Sequence, residues 1–120
     1  MTRGISIAFM ILVVSFVIPV VHYFTGPIGP FVAGFVGGGI AKANESKIII
    51  FGLLVAGLML IPAIGFLIAA LLSGSNIFGL NRWLIITVSV ALVPYTWFGV
   101  TVGALISYLL RSNSEKNNTK

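Results

Sequence analysis

Long apolar runs alternate with short polar interruptions along this chain. Ile5 to Phe24, Pro27 to Ala43, Ile48 to Leu72 and Trp83 to Leu110 are apolar almost throughout, and Asn44-Glu45-Ser46-Lys47 and Ser73-Gly74-Ser75-Asn76 are the clearest breaks between them. A helix of about 20 such residues spans a hydrocarbon layer of about 30 Å. The pattern therefore predicts an all-α integral membrane protein, a bundle of four transmembrane helices at 5–24, 27–43, 48–72 and 83–110. Residues 1–110 form one transmembrane domain on this reading. Residues 111–120 turn polar and are expected to be a disordered cytoplasmic tail.

The stretch Gly26 to Lys42 is the centre of the pattern. Glycine at this density in a water-soluble protein would mean a loop. Among Phe, Val and Ile, between two apolar runs, it reads as a tightly packed membrane helix, because small side chains let neighbouring helices approach closely. Gly26-Pro27-Ile28-Gly29-Pro30 supplies the turn into it, with proline suited to a first helical turn. At ~1.5 Å per residue this second helix covers about 25 Å, short for a crossing unless Lys42 snorkels to the headgroups. Gly29, Ala33, Gly37 and Ala41 fall four apart on one face, with Gly34 and Gly38 beside them. In the fourth helix Thr87, Ala91, Tyr95, Gly99, Gly103 and Ser107 keep the same spacing, tightest at Gly99, Gly103 and Ser107. Gly52 with Ala56, and Gly65 with Ala69, extend the theme to the third.

Three prolines mark expected kinks. Pro19, Pro62 and Pro94 free the carbonyls of Ser15, Leu58 and Val90. His22, Tyr23, Arg82 and Trp83 stand at run boundaries, where amphipathic rings and cations anchor to the interface. Ile77-Phe78-Gly79-Leu80 is expected to dip into that interface, and Asn44 or Ser46 to cap the third helix. Helices one and two against three and four give no residue-level internal repeat.

Composition sharpens the picture. Hydrophobic residues make up 58% of the 120 and charged ones 8%, against roughly 25% charged in a soluble domain. The seven cations do not line one stripe, which argues against a nucleic-acid partner and for a topology signal. Arg3 followed by a long apolar run is expected to be a retained anchor, since no small-residue cleavage site follows Val21. Four crossings put Arg3, Lys42, Lys47, Arg111, Lys116 and Lys120 on one side and Arg82 on the other. If the second helix does not cross, Arg3 and Arg82 oppose the other five. The first arrangement concentrates charge better and predicts a plasma-membrane protein with both termini cytoplasmic. Asn44-Glu45-Ser46 and Asn117-Asn118-Thr119 fit the glycosylation acceptor pattern, yet this topology places both inside the cell.

Candidate chemistry is sparse. With no cysteine there are no disulfides, thiolate metal sites or cysteine nucleophile. No Asp, Glu, Lys or Arg falls in the middle of an expected helix, whereas proton relays and ion-coupled carriers need an ionisable group at membrane depth. The embedded glutamate of small drug/proton antiporters and the motifs of fluoride channels are both missing. His22 has no companion at metal-ligand spacing and reads as an anchor. Ser15, Thr87, Ser89, Tyr95, Thr96 and Thr101 read first as interhelical hydrogen bonders, often to proline-freed carbonyls, and second as a polar path. Trp97 reads as packing against a glycine face rather than as a stacking platform. No activated nucleophile or acid–base pair is visible, so neither an enzyme nor a cofactor is expected.

The run from Gly26 through Phe31-Val32-Ala33-Gly34 to Gly39 resembles a pattern in small glycine-rich polytopic membrane proteins of unknown function, mostly archaeal. There a Pro-Phe-x-Ala-Gly-like helix precedes a polar turn and a second glycine-bearing helix. The resemblance covers residues 26–72, implies a polytopic membrane protein and an archaeal source, and carries over no functional residues.

These readings converge on a non-catalytic structural or accessory subunit, packing through glycine faces of helices two and four into a homo-oligomer or larger complex in the lipid bilayer. One alternative is a small channel or carrier for a neutral solute or lipid, with Pro62 and Pro94 flanking a mid-membrane pocket. The other is a holin-like pore former with a cationic tail.

Overall fold

The computed structural model describes residues 1–17, 22–72, 76–77 and 80–118. Four helices account for nearly all of them: α1 (Thr2–Val17), α2 (His22–Ala41), α3 (Glu45–Leu72) and α4 (Arg82–Asn118). Between α3 and α4 a minimal antiparallel pair, β1 (Asn76–Ile77) and β2 (Leu80–Asn81), sets Asn76 opposite Asn81 and Ile77 opposite Leu80. Phe78 and Gly79 of the expected interfacial dip lie outside the described residues. Apart from the strand pair nearly all the described residues are helical, and two helices, α3 and α4, are long and apolar enough to cross a membrane.

Several boundaries differ from the sequence expectation. α1 begins at Thr2 and ends by Val17, so His22 and Tyr23 open the second helix instead of closing the first. The expected turn at Gly26–Pro30 is helical, and Pro19 lies outside the described residues. Packing explains how two prolines survive inside α2: the Pro30 ring is fully buried, and α4 presents Gly99 to it. The Tyr95 hydroxyl also donates to the Pro27 carbonyl. With 20 residues α2 reaches about 30 Å, and its apolar part, Gly26–Ala41, is short, as the sequence suggested. α3 starts at Glu45, three residues early.

The tail correction is larger. Residues 111–118 continue α4 instead of being disordered, giving a helix of 37 residues, about 56 Å long, in a molecule 63 Å in its longest dimension. Extending a helix that already exists needs no new nucleus, so polar residues can follow the apolar ones. Arg111 secures the transition: its Nε donates to the Ser107 carbonyl at 3.3 Å and its Nη2 to the Ala43 carbonyl at 2.8 Å.

Contacts fix an up-down-up-down order. Gly4 lies against Gly37 and Ala41, and Gly29 against Ser15, so α1 and α2 are antiparallel. Pro30 meets Gly99 and Gly38 meets Ala104, so α2 and α4 run parallel. Gly52 meets Thr101 while Glu45 meets Tyr108, so α3 and α4 are antiparallel. α4 packs against both α2 and α3, and α2 lies between α1 and α4. The N-terminus, the α2–α3 turn and the Arg111 region consequently share one end of the bundle.

The interior is made of small residues with a few larger plugs. Ala8, Leu12, Ala33, Phe51, Val55, Met59, Val100 and Ala104 form its core, and Phe51 is the largest fully buried side chain. Big aliphatic side chains point outward instead, among them Ile61 and Leu72 at 67% and 81% exposure. Water would penalise that arrangement, whereas lipid does not.

The α2–α3 turn is tightly capped. The Ala43 amide donates to the Gly38 carbonyl and the Lys42 amide to Gly39, both at 3.1 Å, which is the paired bonding of a Schellman motif. Lys42 takes the left-handed conformation this motif requires, at φ 49°. Asn44 occupies the N-cap of α3 as expected, its carbonyl accepting from Lys47 and Ile48. Asn81 does the same service for α4, its Oδ1 accepting from the Trp83 amide at 3.0 Å. A non-glycine residue at left-handed φ is strained. Lys42→Gly should therefore stabilise the fold by about 1 kcal/mol, whereas Lys42→Val should destabilise it. Equilibrium unfolding in a mixed-detergent titration measures both, and no gain for the glycine variant would refute the capping account.

Candidate functional site

The residues singled out for packing do form contact surfaces, and the two rows on α2 face different partners. Gly29, Gly37 and Ala41 turn toward α1. A Cβ added at Gly37 would stand 2.7 Å from both the Ala8 Cβ and the Gly4 carbonyl oxygen, and one at Gly29 would stand 3.2 Å from the Ser15 Cβ. Ala33 of the same row is fully buried in the core. Gly34 and Gly38 turn toward α4 instead, where a Cβ at Gly34 would collide with the Val100 backbone and one at Gly38 would lie 2.7 Å from the Ala104 Cβ.

On α4, Gly99, Gly103 and Ser107 are buried against α2. A Cβ at Gly99 would come 2.5 Å from the Pro30 Cβ, and one at Gly103 would run into the Phe31 carbonyl oxygen and come 2.8 Å from the Phe35 amide nitrogen. The upper half of that expected row behaves otherwise: Thr87, Ala91 and Tyr95 are exposed. A spacing of four advances 400° on a helix of about 3.6 residues per turn, so a long row drifts off any one face.

Sequence reasoning missed the partner surfaces on α1 and undervalued α3. Gly4 and Ala8, four apart, receive Gly37 and Ala41. Gly52 receives Thr101, and a Cβ there would also stand 3.3 Å from the Trp97 carbonyl oxygen. The spacing Gly4-xxx-Ala8 was legible as small-xxx-small. Conversely, a Cβ added at Gly57 or Gly65 would meet nothing within 4 Å, and both glycines lie on the outer surface.

Of the six candidate hydroxyls, Tyr95 bonds between helices as expected, at the Pro27 carbonyl of α2, and four bond within their own helix. Ser15, Thr87, Ser89 and Thr101 donate to carbonyls four residues back, those of Ile11, Trp83, Ile85 and Trp97, at 2.7 to 2.9 Å. None of these acceptors is a carbonyl freed by proline. Thr96 departs from the pattern: it is fully buried and its Oγ1 has no hydrogen-bond partner. Trp97 is 41% exposed, so its ring is not sealed against a glycine face.

Pro62 and Pro94 both lie inside unbroken helices, and Pro94 is exposed, which removes it from the lining of an internal pocket. Arg82 is half-buried and Trp83 is 74% exposed, at the end of the bundle remote from Lys42. His22 and Tyr23 belong to the first turn of α2, and their side chains lie outside the described residues. Among the described residues no cluster of three His, Cys, Asp or Glu is placed to hold a metal.

Comparison with known proteins gives no match to this chain among protein-family models, curated proteins or solved structures.

The steric account separates the glycines sharply. Gly103→Ala should destabilise by about 2 kcal/mol through overpacking. Gly57→Ala, with open space around it, should be neutral or stabilising by up to about 1 kcal/mol from higher helix propensity. Thermal unfolding of the two variants in the same detergent checks this, and equal effects would refute the seam.

Proposed function

We propose that this protein is a four-span membrane protein with both termini cytoplasmic, serving as a small structural or accessory subunit rather than as an enzyme. One observation carries the reading: the bundle is small inside and large outside. Glycine and alanine hold the helices together, and the isoleucines and leucines of α3 and α4 face outward, where they are stable only against lipid or another protein. The buried polar residues among those described are Ser89, Thr96 and Ser107, all hydroxyls. Such an interior holds helices in place and offers no ionisable group to move a proton or cation.

The glycine faces of helices two and four lie against each other within one chain. Partners therefore dock on the outer face of large side chains, a change from the glycine-mediated contact the sequence suggested. A second reading, a path for a neutral solute, is favoured by the orphan hydroxyl of Thr96; solute flux in proteoliposomes above empty vesicles would select it.

Topology is testable cleanly because the chain has no cysteine. In intact cells a membrane-impermeant maleimide should label Ser75→Cys and leave Ser46→Cys and Ser114→Cys unlabelled until the membrane is opened. The reverse pattern would overturn the orientation, and equal labelling of Ser46→Cys and Ser75→Cys would overturn the crossing of α3. For the subunit role, native mass spectrometry of the gently solubilised protein should show assemblies above 12.7 kDa. A strictly monomeric population would sink that role.

A further inference from the structure

At the end of the bundle that collects the cations, the α2–α3 turn and α4 enclose a cleft of about 140 Å³, lined by Lys42, Asn44, Tyr108, Arg111, Ser112 and Glu115 together with Ala43. That is well above the ~10–15 Å³ a single water needs, room enough for a tetrahedral oxyanion and its hydrogen bonds. We propose that this cleft binds the phosphate of an anionic phospholipid headgroup. The inference rests on the membrane reading above and adds a ligand to it.

The geometry of the donors favours an anion. Lys42 is exposed on its strained cap and Arg111 is fixed in direction by its bonds to the Ala43 and Ser107 carbonyls. Those bonds use Nε and one Nη2 proton, and a guanidinium has five N–H donors, so the remaining fork is preorganised beside the cleft. Glu115 also lines the cleft. Glu45, at the start of α3, accepts a hydrogen bond from the Tyr108 hydroxyl at 3.0 Å and keeps its charge. Two cations therefore stand beside two carboxylates, and the directed Arg111 fork is what selects an anion.

The surroundings favour a lipid over a soluble phosphate. Arg111 follows directly on the apolar run that ends at Leu110, so the cleft sits where hydrocarbon gives way to headgroups. Leu105 and Leu109, both exposed, lie one turn before Tyr108 and Ser112 on the same side of α4. An acyl chain would run along that leucine strip while its phosphate enters the cleft. Basic pockets between helices at the cytoplasmic surface are suited to such headgroups.

The test reconstitutes the full chain from equimolar phosphatidylglycerol and phosphatidylcholine and counts retained lipids by native mass spectrometry. Phosphatidylglycerol should be enriched, and Lys42→Gln and Arg111→Gln should each lower the enrichment about fivefold, matching roughly one near-surface cation apiece. Glu115→Gln should raise it, an effect that a merely structural role would not produce. Arg111→Gln also loses a tie to Ala43, so circular dichroism accompanies each variant, and Lys42→Gln decides if Arg111→Gln unfolds. Equal retention of the two lipids, or enrichment unchanged in Lys42→Gln, would overturn the proposal. So would loss of enrichment in millimolar inorganic phosphate, which would assign the cleft to a soluble anion. Failure of the chain to float with vesicles would overturn the membrane reading itself, an outcome distinct from the others.

Discussion

Close approach of two parallel backbones is the constraint on which the fold depends. α2 and α4 are not sequential, and no tight turn holds them in register. They are aligned because Gly34 admits the Val100 backbone, Gly38 admits Ala104, and Gly103 admits the Phe31 and Phe35 backbones. Helices in lipid gain little from hiding apolar side chains from one another, since the tails are equally apolar; what remains is dispersion and dipole contact at short range. Glycine on both sides of the seam maximises that contact. It also leaves no room for Leu or Ile between the axes, which is why those residues are displaced to the periphery. The outer apolar surface and the glycine interior are two consequences of one spacing.

The remaining helices join through the same device. α1 reaches α2 on the face one residue over, where Gly37 and Ala41 receive Gly4 and Ala8. α3 reaches α4 through Gly52, which accommodates Thr101. α2 and α3 scarcely touch directly, so Phe51 fills the space, its ring tip near Gly37. A bundle of nearly pure small-residue seams would leave gaps at such junctions, and a few large fully buried side chains, Phe51, Met59 and Leu12, occupy them.

The helical class and the close contacts at Gly34, Gly37, Gly38, Gly99 and Gly103 were legible in the sequence, because long apolar runs and small-residue spacing report directly on helices and their close approach. The start of α2 was not. Gly26-Pro27-Ile28-Gly29-Pro30 carries strong local turn signals, and what overrides them is a tertiary fact: Gly99 makes room for the Pro30 ring. The helical tail was missed for a related reason. Residues 111–118 have the composition of a disordered segment, but they inherit a helix already nucleated by the apolar run and stapled at Arg111 to Ala43, sixty-eight positions away in sequence. Pairings of that kind leave no periodic trace. Ser15, Ser89 and Thr101 follow the opposite logic, bonding one turn back within their own helix, whereas the Tyr95 hydroxyl does cross between helices, to the Pro27 carbonyl.

One end of the molecule shows how the caps and charges reinforce each other. α2 must stop sharply so that α3 can return alongside α4, and the Schellman bonding at Gly38 and Gly39 does this. The left-handed position that it demands would suit glycine best, yet Lys42 occupies it. Strain there persists only where the surroundings impose it, and here they do: Ala43 is buried and its carbonyl is held by Arg111. A lysine at that position brings a second cation beside the Arg111 fork. A glycine would cap the helix better but would remove one of the two cations that stand among Glu45 and Glu115. Local backbone preference gives no reason for the strained lysine; the cation it sets beside Arg111 is what a glycine could not supply.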